Sequence, residues 1–242
     1  MSYIFREHIK QSLAVIAFLI TLTACTSESY DAGDGPNSYL TADLVLLHTS
    51  QDKSVRSALL DDGTTLQFSN PFVQDWLTRP DSVYRALLYY DKTVAASDAA
   101  ASNPTATSIV RARSVRPVSV LRPVEAEDME TLRTDPVGFE SIWLSKNKSY
   151  INLSLLLKSG KTEADDALHA LGIVSHGTTT DADRRRTLHL TLYHDQGGVP
   201  AYYTVQQYVS IPTQLLEEAD TVELTLNTYN GKKVVKVAVS NL

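Results

Sequence analysis

The second half of this chain repeats a two-residue hydrophobic rhythm so strictly that few architectures can accommodate it. Ile151, Leu153, Leu155 and Leu157 fall on one face of an extended segment. Leu188, Leu190 and Leu192 do the same in a later segment, and Val222, Leu224, Leu226, Val235, Val237 and Val239 follow at the same spacing. Side chains alternate between two faces only in a strand, so each run predicts a strand with one buried side. Asn230-Gly231 predicts the tight turn that makes the last two a hairpin. Further strands are expected over 139–145, 170–176 and 201–210, with a turn at 195–198 and a brief helical turn over 211–218. Strands of this kind over 135–242 suit a β-sandwich with apolar inner faces.

The first half is also β-rich, with a looser pattern. A strand is expected over 39–48, and Asp61-Asp62-Gly63 predicts a turn joining 55–60 to 64–69. Residues 83–90 form an apolar run of the kind buried on both faces. Residues 93–107, rich in Ala, Ser, Asn and Thr, predict a long loop. Extended structure resumes over 109–121, where Pro117 cannot donate to a ladder and so favours an edge or a bend. Five strands over 38–124 suggest an OB-like β-barrel. The acidic segment 125–134, EAEDMETLRT, lacks alternation and is expected to be the linker. The expected fold class is therefore all-β, an OB-like barrel followed by a β-sandwich.

The first 24 residues read as a signal peptide: Arg6 and Lys10, then an apolar run from Leu13 to Leu22, then small residues. That run is shorter than the roughly 20 residues needed to cross a bilayer. Leu22-Thr23-Ala24-Cys25 fits a lipobox, which makes Cys25 the expected lipidation site. Cys25 is the one cysteine of the chain, so no internal disulfide can form. Acyl chains such as palmitate contribute about 0.8 kcal/mol per buried methylene, enough with two or three chains for lasting membrane attachment. Residues 25–37, with Gly33, Gly35 and Pro36, are expected to be a flexible tether. Glu28 and Asp31 beside the anchor resemble the acidic export tags of some gut Gram-negative lipoproteins. The expected location is the cell envelope, at the outer membrane, facing either the periplasm or the surface.

Loss of residues 1–24 removes Arg6, Lys10 and Glu7, so the formal charge moves from -6 to -7. Nucleic acid is a poor partner for such a chain, because phosphate binding draws on clustered Lys and Arg. The compact basic run Arg184-Arg185-Arg186 follows Asp181 and Asp183 and reads as a solvated loop. The sequence contains no G-x-x-x-x-G-K-[ST], G-x-G-x-x-G or G-x-S-x-G, so neither a phosphate cradle nor a serine elbow is expected. His189 and His194 lie five apart on one strand and point to opposite faces, while His169 and His176 sit near a loop. Surface positions are expected for these histidines. Asp181-Ala182-Asp183 has the opening spacing of a calcium loop without its later Gly and Glu. No catalytic, cofactor-binding or metal residue is expected. Asp61, Asp62 and Glu140 are the sole support for a hydrolase of envelope glycans.

The most suggestive surface is aromatic. Tyr202, Thr204, Gln206 and Tyr208 share one face of 201–210, and His189 and Tyr193 lie opposite the leucine stripe of 187–194. If these strands pair as a hairpin, His189, Tyr193, Tyr202, Gln206 and Tyr208 form one outward face suited to binding a protein or glycan partner.

Ser141-Ile142-Trp143, the run from Tyr150 to Gly160, and Leu188 to Asp195 together resemble the C-terminal domain of NigD-like lipoproteins. The lipobox, DDGTTLQF at 61–68 and RARSVRPVSVL at 111–121 are similar to that family's first domain. The resemblance implies an OB-like barrel ahead of a β-sandwich, in lipoproteins of Gram-negative gut anaerobes. It implies no catalytic residues. The family's name comes from a gene beside a bacteriocin cluster, which implies an immunity role for some members. The expected function is a non-enzymatic envelope lipoprotein that binds a protein or glycan, with bacteriocin immunity and glycan hydrolysis as alternatives.

Overall fold

The computed structural model describes residues 40–92, 108–161, 168–216 and 218–239. Cys25, the signal peptide, the tether and the loop expected at 93–107 lie outside them. Strands β1 (Leu40–Thr49), β2 (Val55–Leu60), β3 (Thr65–Phe72), β4 (Val83–Lys92) and β5 (Ser108–Pro117) close into a barrel in the order β1-β2-β3-β5-β4. The turn between β2 and β3 is the expected one. The Gly63 amide donates to the Leu60 carbonyl at 3.0 Å, and Gly63 takes φ +90°, a region that a side chain would strain. Closure comes from a short parallel ladder pairing Leu66–Phe68 with Ser108–Val110. The Asn70 side chain extends this seam, donating to the Ala112 carbonyl and accepting from the Ala112 amide, both at 3.1 Å.

Alternation decides what each barrel strand buries. Val45 and Leu47 on β1 point inward with Ala86, Leu88 and Tyr90 on β4. The opposite face of β4 is buried as well, at Arg85 and Leu87, against the rest of the molecule. The two-sided burial expected of the run 83–90 holds over 85–88, while Val83 is exposed.

The chain then builds two packed sheets from β6 (Ser119–Val120), β7 (Pro123–Glu125), β8 (Gly138–Leu144), β9 (Tyr150–Ser159), β10 (Ala170–Thr180), β11 (Arg186–Asp195), β12 (Tyr203–Pro212), β13 (Thr221–Thr228) and β14 (Gly231–Ala238). One sheet runs β14-β13-β11-β10-β7, the other β6-β12-β9-β8. Leu153 and Leu155 of β9 meet Leu188, Leu190 and Leu224 of the facing sheet in one apolar core. The β13–β14 turn differs by one residue from expectation: Tyr229 and Asn230 form the loop, and Gly231 follows at φ +101° as the first residue of β14.

The expected boundary is corrected by the pairing. Residues 119–124 are expected within the barrel and 125–134 as linker, yet β6 joins β12 and β7 joins β10, each by parallel pairing. Leu121, between them, is buried in the sandwich core. The barrel therefore ends at Pro117, and the acidic segment carries a 3-10 turn over Ala126–Asp128. Strands of two and three residues are too short to show a period.

Candidate ligand cleft between barrel and sandwich

The joint between the two halves is part polar and part apolar. Arg85, alone among apolar neighbours on β4, has its side chain 1% exposed. Its Nη1 and Nη2 donate to Asp61 Oδ1 and Oδ2 at 2.6 and 2.7 Å, the two-pronged geometry that a guanidinium fork favours. Nη2 also reaches Asn152 Oδ1 at 3.0 Å, and Nε reaches Ser210 Oγ at 3.1 Å. Asn152 Nδ2 donates to Asp61 Oδ2 at 3.0 Å, and Ser210 Oγ donates to Asn152 Oδ1 at 2.7 Å. Asn152 and Ser210 occupy facing positions on β9 and β12. Barrel and sandwich are thus joined by a closed set of hydrogen bonds around one buried cation. Such networks fix an orientation because each member has its partners in one arrangement only.

Beside this network Leu44, Leu87 and Val118 form a small apolar cluster, against which Tyr89, Trp143 and Tyr208 are half-buried. Trp143 and Tyr208 meet edge to face, with ring centroids 6.4 Å apart. A cleft of about 370 Å³ opens here, lined from the barrel by Leu44, Asp43, Asp61, Asp62, Leu87 and Tyr89 and from the sandwich by Trp143, Lys146 and Tyr208, among others. Burial works to raise the pKa of Asp62, but the Thr64 amide and hydroxyl and the nearby Lys146 outweigh it and hold the carboxyl below its ordinary value. Asp62 Oδ1 accepts from the Thr64 amide at 2.9 Å, whereas Oδ2 has Lys146 Nζ at 3.9 Å. Asp43 accepts from the Tyr90 hydroxyl at 2.8 Å. Burial, then that bond, push the Tyr90 phenol above its usual range. On another flank of the joint a hollow of about 600 Å³ involves Tyr150, whose ring is already covered by the Arg85 guanidinium at 4.4 Å.

The five residues expected to share a face do not. Strands β11 and β12 belong to different sheets, with β11 beside β10 and β13 and β12 beside β9 and β6. The hairpin expectation is thereby corrected: alternation identifies the buried side of a strand and leaves its neighbour open. Tyr208 reaches the cleft. Gln206 Nε2 instead donates to Glu140 Oε2 at 2.5 Å and to Ser154 Oγ at 3.0 Å, and Tyr202 is 78% exposed. His189 lies on the other sheet between Thr179, 2.8 Å from Nε2, and Glu223, 3.1 Å from Nδ1. Tyr193 packs over Gly172. His194 was expected at the surface and is buried on the leucine face of β11, its Nε2 2.9 Å from His169 Nδ1 and the two rings stacked.

Of the three carboxylates considered for hydrolysis, Asp61 is held by Arg85 and Asn152, and Glu140 does not line the cleft. Bonds from Ser154 and then Gln206 hold Glu140 below its ordinary pKa. Asp181 accepts from the Asp183 and Arg185 amides, both at 2.9 Å, an arrangement that closes its own loop. Among the described residues no three His, Cys, Asp or Glu side chains converge in a way that could hold a metal ion. Arg85, Trp143, Lys146 and Tyr89 were missed from sequence. Arg85 alone left a signal there, as one charge inside an apolar run.

An OB-ordered barrel built onto a two-layer sandwich through a polar joint defines a class of two-domain, all-β proteins. Residues 120–239 match the NigD-like C-terminal β-sandwich domain, and this part of the chain belongs to that domain family. The fold is similar to that of a NigD-like immunity protein from Bacteroides caccae, with 23% identity, 81% of this chain and 91% of that one covered, and a TM-score of 0.59. It is also similar to a predicted lipoprotein from Bacteroides fragilis, with 14% identity, coverage of 84% and 99%, and a TM-score of 0.58. A protein of unknown function from Bacteroides vulgatus aligns at 16% identity over 83% and 92%, with a TM-score of 0.57. No curated protein matches the sequence.

Proposed function

We propose that this protein is a lipid-anchored, non-catalytic binding protein of the cell envelope, and that its ligand sits in the cleft between barrel and sandwich. The observation that carries this reading is the placement of Tyr89, Trp143 and Tyr208 around one 370 Å³ opening whose two sides are fixed by the Arg85 network. Concave sites with aromatic walls and a few fixed polar groups are the usual form of a binding pocket. The anchor reading draws on the lipobox at Cys25 and on the similarity in fold to a predicted lipoprotein. Among the described residues no helix is long and apolar enough to cross a membrane. Immunity, the role in the name of the Bacteroides caccae protein, would be one form of such binding, with a toxin as the ligand.

A photo-crosslinking residue in place of Lys146, on the cleft rim, tests the reading in intact cells. A discrete adduct from that position, with none from the exposed Val73 outside the cleft, is the expected result. Equal labelling from both positions, or none from either, would overturn it.

A further inference from the structure

We infer that the cleft takes a cationic side chain, the ammonium or guanidinium of a lysine or arginine in an extended polypeptide. This rests on the cleft being the ligand site and names what enters it. The walls carry three aromatic side chains, Tyr89, Trp143 and Tyr208, and the same lining holds the carboxylates of Asp43, Asp61 and Asp62. Ring faces attract a cation through their quadrupole, and the attraction grows as water is excluded. Carboxylates at the rim raise the local concentration of cations before contact.

The carboxylates of the lining differ in how far they are already engaged: Asp43 accepts from the Tyr90 hydroxyl. The Asp61 carboxylate is paired with Arg85. Asp62 keeps one oxygen with no hydrogen bond from Lys146, which stands 3.9 Å away and whose side chain is 82% exposed. A ligand cation can displace that ammonium into solvent at little cost, since exposed ion pairs contribute little to stability. The chain's net charge of -6 acts in the same direction at longer range. A neutral sugar would stack on the same rings but draw nothing from the carboxylates' charge. At about 370 Å³ the cleft holds a side chain with its flanking backbone; a folded domain would be far too large.

The test uses the mature chain carrying Trp76→Phe, which leaves Trp143 as the single tryptophan and places the reporter in the cleft wall. An eight-residue peptide of alternating glycine and arginine should shift and quench Trp143 emission saturably. Asp62→Asn should weaken the apparent affinity by about threefold or more, and Lys146→Ala should strengthen it. Tightening of binding cannot result from misfolding. Asp181→Asn, in an exposed loop, should leave the titration unchanged, and an equal loss there would overturn the inference by showing diffuse attraction to acidic surface. Unaltered affinity in both Asp62→Asn and Lys146→Ala would overturn it as well. A response to maltohexaose with none to the peptide would remove the cationic ligand while leaving the cleft as a binding site. A response to neither would remove both.

Discussion

The guanidinium of Arg85, on the barrel, lies 4.4 Å over the ring of Tyr150, on the sandwich. With Asp61, Asn152 and Ser210 around the same cation, one side chain reaches across the joint to three residues of the other domain. Replacing Arg85 by Met strands the mostly buried Asp61 carboxylate and two polar partners, and should cost about 3 kcal/mol. Arg85→Lys keeps the charge but loses the fork and should cost about 1 kcal/mol or more. Guanidinium titrations followed at Trp76 in the barrel and Trp143 in the sandwich should coincide in the parent and separate in Arg85→Met. Coincident, unshifted midpoints in that variant would show the joint to be energetically idle.

Leu153 is completely buried between the sheets. Leu153→Ala removes apolar contacts and leaves a cavity, so stability should fall by about 2–5 kcal/mol. Urea unfolding measures it directly, and a loss below about 1 kcal/mol would mean that the two sheets pack loosely at this point.

Gly197 has φ +60°, and a Cβ there would stand 2.2 Å from the Leu168 carbonyl oxygen. Gly63 has φ +90° with nothing within 4 Å. Gly63→Ala should therefore cost about 1 kcal/mol, the conformational penalty alone, and Gly197→Ala distinctly more, because backbone must move as well. Equal melting shifts for the two would contradict this account.

Acid should destabilise the protein through His169. The Asp135 carbonyl accepts from His194 Nδ1 at 2.9 Å, so neutral His194 offers Nε2 as the acceptor for His169 Nδ1. Burial, then the neighbouring His194, lower the His169 pKa from 6.5. The folded state therefore binds this proton less readily than the unfolded chain. The group's contribution is complete above about pH 6.5 and is lost as pH falls through the lower folded value. His169→Asn should flatten the decline in denaturation midpoint between neutral and mildly acidic pH. A parallel slope in parent and variant would place the effect elsewhere.

Cys25→Ser should shift the protein from the membrane fraction to the soluble fraction and abolish palmitate labelling. Retention of either property would show that another group attaches it.

Strand content was legible because Ile151, Leu153, Leu155 and Leu157, like Leu188, Leu190 and Leu192, recur at the period of the pleat. Their pairing was not, since the same rhythm describes a hairpin or two strands in opposite layers, and β11 and β12 take the second course. The cleft was legible only at Tyr208, Asp61 and Asp62. Trp143 and Tyr89 join them from distant parts of the chain, by way of a joint whose geometry depends on Asn152 and Ser210, residues ordinary in any outward strand position. Arg85 could have been found by asking which partner an isolated charge needs when both sides of its strand are covered.

Between Pro117 and Ala126 a single ribbon touches one layer with Ser119–Val120, sends Leu121 into the core and touches the other layer with Pro123–Glu125. The two halves are therefore not separable where the composition changes. A gene cut at the acidic segment would leave both layers with bare margins and a hole between them. The heritable cassette begins no later than Ser119, and any recombination that moved this sandwich onto a new partner had to carry the ribbon along.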